Sequence, residues 1–305
     1  MKKLWAWFKS LRFQPFAYSH VELLFVRAIL AWMVWDVYQN AGTWSVQADP
    51  VGIARFVDLT IFANEEFHRV TATILLFCCA AYVFGLALPV VLLFMIVLLI
   101  GTETLENSQG STNHNTQILA LCLIGQWIWQ IIAIFRKGWN WSAYAEDGRE
   151  REQVSTWVGL QIVASCYVVS GISKILGDGN WVLDSVNYPL QLIKTERMSY
   201  YNDLIGHVDE NVGWLKSIGL WMREMLIAYP WINPFVLSIG LILELVAFAA
   251  LLGRVPALVL GLLLISFHFI VHLIMDLTFQ YNILLLIAFF VGVPYWMGRF
   301  FRRST

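Results

Sequence analysis

The chain consists of long apolar runs with most of its charge confined between them, and that pattern leaves few folds open. The run from Val154 to Leu176 holds one formally charged residue, Lys174, and is long enough to cross a bilayer. Hydrocarbon offers no water to peptide groups, so such a run must be a helix that closes its own hydrogen bonds. Read the same way, the chain gives eight expected spans: Val21–Tyr38, His68–Leu86, Pro89–Thr104, Thr116–Phe135, Val154–Leu176, Pro234–Leu252, Pro256–Met275 and Phe279–Met297. Charged residues make up 13% of the chain, about half the share usual in soluble domains. The expected fold class is therefore all-α: one polytopic membrane bundle over residues 1–305, with about eight transmembrane helices plus interfacial helices. No repeat, low-complexity stretch or second soluble domain interrupts it.

The flanks fit that picture. Met1 to Phe16 mixes Lys2, Lys3, Lys9 and Arg12 with Leu4, Trp5, Trp7, Phe8 and Leu11, which reads as an amphipathic segment drawn to anionic lipid. The first apolar run lacks a cleavage site and contains Glu22, Arg27 and Asp36, so no cleavable signal peptide is expected. Residues 177–233 form the longest connection, in which Trp214, Ile218, Trp221 and Met225 recur at the spacing of an interfacial helix. With the N-terminus inside, the inner segments hold twelve Lys/Arg and the outer ones six. The excess predicts a multi-pass protein of the cell inner (cytoplasmic) membrane, both termini cytoplasmic and residues 177–233 outside. Nearly balanced charge and the lack of a basic domain argue against nucleic acid as a partner. Cys78, Cys79, Cys122 and Cys166 all fall inside apolar runs and read as small packing residues.

This orientation gathers polar residues at the outer end of the expected bundle. Glu103 ends one span, Asn113 and His114 open the next, Lys174 ends another, and His268, His272 and Asp276 close the seventh. The last three sit at i, i+4 and i+8, on one helix face. Each has two readings. Lys174 either lifts its amine to the headgroups or marks an intramembrane site. Asn113, His114 and Asn115 either cap a helix or line that site. His268 and His272 are either packing residues or ligands; no glutamate completes a metalloprotease motif, and no metal site is assigned. A lysine buried beside histidines loses its proton more readily, which suits a general base. Arg27 and Glu244 are each lone charges within apolar sequence, so a structural Arg27–Glu244 ion pair is expected. Nothing comparable to the outer polar layer is expected at the inner end.

These residues also carry a resemblance. Thr112-Asn113-His114-Asn115 at the start of a span resembles the Asn-His signature of the vitamin K-dependent γ-carboxylase family, including its bacterial HTTM-domain members. Ser170-Gly171-Ile172-Ser173-Lys174-Ile175 followed by Trp181 is similar to that family's Ala-Gly-Val-Lys-Lys-Leu…Trp segment, with Ser173 in place of the first lysine. His272 with Phe279 resembles the family's late His…Phe segment, and Glu244 before the Gly253-Arg254 turn resembles HTTM proteins.

The resemblance implies catalytic roles for Lys174, His114 and His272. Lys174 would be the base that deprotonates a quinol such as vitamin K hydroquinone. Asn113, Glu103, His268 and Asp276 are candidate substrate contacts, and the reaction would be carboxylase-like, a lyase or a quinol-dependent oxidation. A large luminal region like the animal carboxylase's is not present in this sequence, so recognition of protein glutamates is not carried over. The sequence supports two main readings. One is an enzyme acting on a lipophilic small molecule; the other is a non-catalytic HTTM-type accessory protein that binds or helps mature a secreted peptide or lipid. A transporter is a weaker third, since neither an inverted repeat nor a pair of broken helices supports it.

Overall fold

The structure, a computed structural model, describes residues 13, 15–41, 50–109, 116–139, 148–177, 181, 182, 185, 187–194 and 213–303. Among these residues no strand occurs, and the principal helices are α1 (His20–Ala41), α2 (Glu65–Val83), α3 (Leu88–Asn107), α4 (Gln117–Lys137), α5 (Gly148–Leu176), α6 (Gly213–Ala228), α7 (Asn233–Leu245), α8 (Arg254–Met275), α9 (Gln280–Leu286) and α10 (Val293–Arg303). Six helices or helix runs are long and apolar enough to cross a membrane: 65–83, 88–107, 117–136, 151–176, 230–252 and 254–275. The pair Gln280–Val291 and Val293–Phe301, bent by 41°, brings the number to seven if it is a single span. The first expected span is not in that set. It is the helix α1, and Glu22, Arg27 and Asp36 interrupt its apolar sequence. Outward-facing side chains are themselves apolar, as at Phe77 (70% exposed), Phe135 (87%) and Phe235 (66%). Soluble monomers do not present such surfaces on every side, and a bilayer accounts for them.

Local chemistry sets the helix ends. Ser19 and Glu22 form a capping box: the Glu22 carboxylate accepts from Ser19 N at 2.8 Å, and Ser19 Oγ accepts from Glu22 N at 3.3 Å. Asn64 accepts from Phe67 N and starts α2. The α2–α3 hairpin turns at Gly85 (φ 68°) and Ala87 (φ 46°), where the sequence places it.

Helices meet across small residues, as expected where lipid is as apolar as the core. A Cβ on Gly159 would lie 2.6 Å from the Phe289 ring, and one on Gly240 would lie 2.5 Å from Phe267. The main core runs through α1 to α5, α8 and the α9 region, with Leu30, Met33, Leu92, Leu123, Leu160 and Leu264 among its buried residues. A smaller core joins Tyr188, Leu192, Leu226, Leu237 and Ile274. It seats α6 on the end of α8, where Arg223 donates to the Ile274 carbonyl at 3.0 Å. The predicted stripe of α6 is largely exposed at Trp214, Ile218 and Trp221, the arrangement that suits an interfacial helix.

The expected Arg27–Glu244 pair does not form. Arg27 pairs with Glu152 of α5, both 4% exposed. Gln130 of α4 donates to the other Glu152 oxygen at 2.8 Å. The reason is geometric. Glu244 pairs with Lys174 near the C-terminal end of α5. Residues 152 and 174 are 22 positions apart on that helix, roughly 33 Å at 1.5 Å per residue. Arg27 therefore lies at the opposite end. Its partner was hidden because residues 136–153 read as a charged loop. In fact α5 begins at Gly148, and both Arg151 and Glu152 are buried. Nearby, Tyr82 donates to Gln126 at 2.6 Å and Arg151 donates to the Gln130 carbonyl at 3.1 Å. The expectation of polar chemistry at one end only is corrected: the α1 N-terminal end holds a buried network as well.

Removing one member of a buried pair strands the other charge, typically costing 3–5 kcal/mol. Arg27→Gln and Glu152→Gln should each lower the midpoint of thermal unfolding in detergent, and the double variant should lose less than the two effects summed. The same cycle on Arg27 and Glu244 should be additive.

Candidate functional site

The site grows from the last turns of α5. Gly171 lets α7 approach closely: a Cβ there would stand 3.3 Å from the Leu245 backbone nitrogen. That approach brings Glu244, one residue earlier on α7, to Lys174. The Lys174 amine donates to both carboxylate oxygens, at 2.5 Å and 2.7 Å. Two residues later the helix ends at Leu176, and Trp181 returns over the amine with its ring centre 5.0 Å from Nζ. The ammonium is thus held by a carboxylate that is 6% exposed and by an aromatic face. Lys174 turns into the protein and does not snorkel.

A second layer lies on α5 and α8. The Tyr167 hydroxyl and His268 Nε2 share a hydrogen bond of 2.7 Å. Phe279 packs over His268 with ring centres 4.7 Å apart, and Phe267 lies at 5.7 Å. His268 is 5% exposed and lies within range of the Lys174 charge. The Nδ1 atoms of His268 and His272 are both buried without a protein partner. Buried imidazole nitrogens left in this way favour a ligand whose polar edge can meet them.

A third group sits at the same end of the bundle. Thr116 Oγ1 donates to the Glu103 carboxylate at 2.5 Å, and the Tyr281 hydroxyl donates to Asp36 at 2.7 Å. Helix α9 links the two groups: Phe279, just before it, touches His268, while Tyr281 on it reaches Asp36 and lies within electrostatic range of Glu103.

The structure therefore brings Lys174 and His268 to one neighbourhood, with His272 one turn further along α8. Glu103 joins the Thr116–Tyr281 side of the same end. Asp276 departs from the group, being exposed at the end of α8 with φ 54°. Asn113, His114 and Asn115 lie outside the described residues. Among the described residues no His, Cys, Asp and Glu trio is placed to hold a metal ion. An open recess of about 840 Å³ lies elsewhere, between α1 and α2, lined by Trp35, Gln39, Glu65, Glu66, His68 and Arg69, among others.

Two site residues are not legible from the sequence. Glu244, expected against Arg27, pairs with Lys174. Tyr167 stands within an apolar run, and its only signal is that it precedes Lys174 by seven residues and so shares its helix face. No protein-family model matches the chain, and neither does any curated protein or solved structure.

Tyr167→Phe should leave both nitrogens of the His268 imidazole without a protein partner. A loss of about 1–3 kcal/mol in detergent stability is expected. His268→Phe combined with Tyr167→Phe should recover part of it. An unchanged melting midpoint in the single variant would remove the hydrogen bond from the account of this site.

Proposed function

We propose that this chain is a membrane enzyme of the kind it resembles, the vitamin K-dependent carboxylase and HTTM group, with Lys174 as the proton-accepting amine for a lipophilic quinol. The observation that carries the reading is the inward-turned Lys174–Glu244 pair. An isolated ammonium in an apolar bundle is costly, and a carboxylate at both hydrogens' reach offers it a place to leave its proton.

The chemistry balances within the pair. Lys174 passes a proton from Nζ to Glu244, breaking an N–H bond and forming an O–H bond. The free amine then takes the proton of the substrate hydroxyl. The product is a substrate oxyanion facing an ammonium, with the original proton held on Glu244. Apolar walls strengthen that ion pair relative to water. The flat rings of Trp181, Phe279 and Tyr167 suit an aromatic diol, and the unpaired imidazole nitrogens of His268 and His272 suit its oxygens. His114 and Asn113 belong to this reading as anion contacts through the resemblance alone. A second substrate, oxygen or carbon dioxide, would meet the oxyanion.

The test is Lys174→Arg. Arginine keeps the positive charge and the carboxylate contact but does not give up a proton. The variant should express and melt like the parent while turnover of a reduced naphthoquinol falls by at least about a hundredfold, the lower range assigned to general base catalysis. Turnover retained in this variant would overturn the base assignment. Mass spectrometry of molecules retained in mild detergent supplies an independent arm: a quinone supports the enzyme, whereas a secreted peptide in its place supports an accessory protein.

A further inference from the structure

Arg254 opens α8, and its guanidinium is enclosed by other parts of the chain. It pairs with Glu22 at 2.7 Å and donates to the Ala17 carbonyl at 3.1 Å. Three rings surround it, with centres 4.7 Å (Phe16), 4.6 Å (Tyr18) and 4.5 Å (Tyr295) from Cζ. Phe16 and Tyr18 lie before α1, whereas Tyr295 lies on α10. One largely enclosed cation therefore fastens segments 277 residues apart in sequence, from Tyr18 to Tyr295, at the same end of the bundle. Burial within this cage also pushes the Tyr18 phenol up from its ordinary range, against the lowering effect of Arg254, so it stays neutral there.

The charge of the segment that carries α10 is one-sided: residues 277–305 hold Arg299, Arg302 and Arg303 and no acid. Helix α10 follows a 41° bend after the α9 region. Its Met297, Phe300 and Phe301 are 54%, 72% and 61% exposed, and Arg299 lies over the Trp296 ring. Exposed apolar side chains beside arginines, on a helix bent off the end of a bundle, suit a headgroup layer. The Lys/Arg excess assigns this end to the cytoplasmic leaflet, where anionic lipid gathers.

We infer that α10 forms a basic surface that binds anionic phospholipid headgroups of the membrane the chain spans. Arg254, held against Tyr295, pins α10 to the end of the bundle; Arg299, Arg302 and Arg303 supply its charge.

The test uses the full chain, purified in mild nonionic detergent and mixed with equal phosphatidylglycerol and phosphatidylcholine, with native mass spectrometry counting retained lipids. Each basic side chain near an anionic surface is worth roughly fivefold in binding, so the parent should retain phosphatidylglycerol at least about tenfold in preference. High salt should erase the preference, whereas inorganic phosphate at matched ionic strength should not compete beyond that salt effect. R299Q/R302Q/R303Q should bring the ratio down several-fold at unchanged melting midpoint. R254Q should lower it too by freeing α10. Where R254Q fails to fold, Y295L opens the cage while leaving the Arg254–Glu22 pair. Equal retention of both lipids by the parent, a full preference in the triple variant, or specific competition by phosphate would overturn the proposal.

Discussion

Cancelling charge between helices is the constraint on which this bundle depends. Arg27 pairs with Glu152, Lys174 with Glu244, and Arg254 with Glu22. Each pair crosses between two helices: α1 to α5, α5 to α7, and α1 to α8. A charge left alone in such surroundings costs several kcal/mol, and it is recovered only when its partner's helix is in register. Apolar packing in a membrane is permissive by comparison, because a leucine gains little by moving from lipid to protein. The pairs therefore fix neighbour and depth, while leucines and small residues supply fit. Helix α1 shows the consequence. Glu22, Arg27 and Asp36 interrupt its apolar sequence, yet Leu30, Met33 and Val34 are fully buried.

The helical class and most element positions were legible because lipid-facing and core-facing residues are both apolar, leaving polar residues to mark the ends. The hairpin at Gly85–Pro89 and the start of α4 near Thr116 follow from that pattern. What the sequence hid was partnership. Glu152 was out of view because a helix that begins beyond the apolar run looks like a loop. There Glu152 meets the side chains of Arg27 on α1 and Gln130 on α4, and Arg151 donates to the Gln130 backbone carbonyl. The Glu244–Lys174 pairing was hidden differently: seventy residues and helix α6 separate the two, and no periodicity links α5 to α7. Their meeting depends on Gly171, a single small residue whose spacing carries no signal in isolation.

The two ends of the bundle use charge differently. At the α1 N-terminal end Arg27 and Glu152 are both 4% exposed and Glu152 accepts from Gln130 besides, although Arg151 Nε and the Tyr18 hydroxyl are buried nearby without a hydrogen-bond partner. At the other end Lys174 is 23% exposed, its amine is faced by Trp181, and the imidazoles of His268 and His272 retain unpaired nitrogens. The ends differ in exposure and surroundings: the Lys174 amine is partly open and faced by an aromatic ring, whereas the Arg27–Glu152 pair is closed off.

The inward turn of Lys174 also narrows what can bind there. The pair with Glu244 has no net charge, so an anionic or cationic substrate would enter an apolar bundle with its own charge uncompensated. A neutral molecule pays no such desolvation penalty and can exchange one proton with the pair once inside. Flat aromatic surroundings then favour a planar ring over an aliphatic chain, and the histidine nitrogens favour hydroxyl or carbonyl oxygens at its edges. Under the proposed function, a neutral, planar, oxygen-bearing molecule soluble in the bilayer meets all of these conditions.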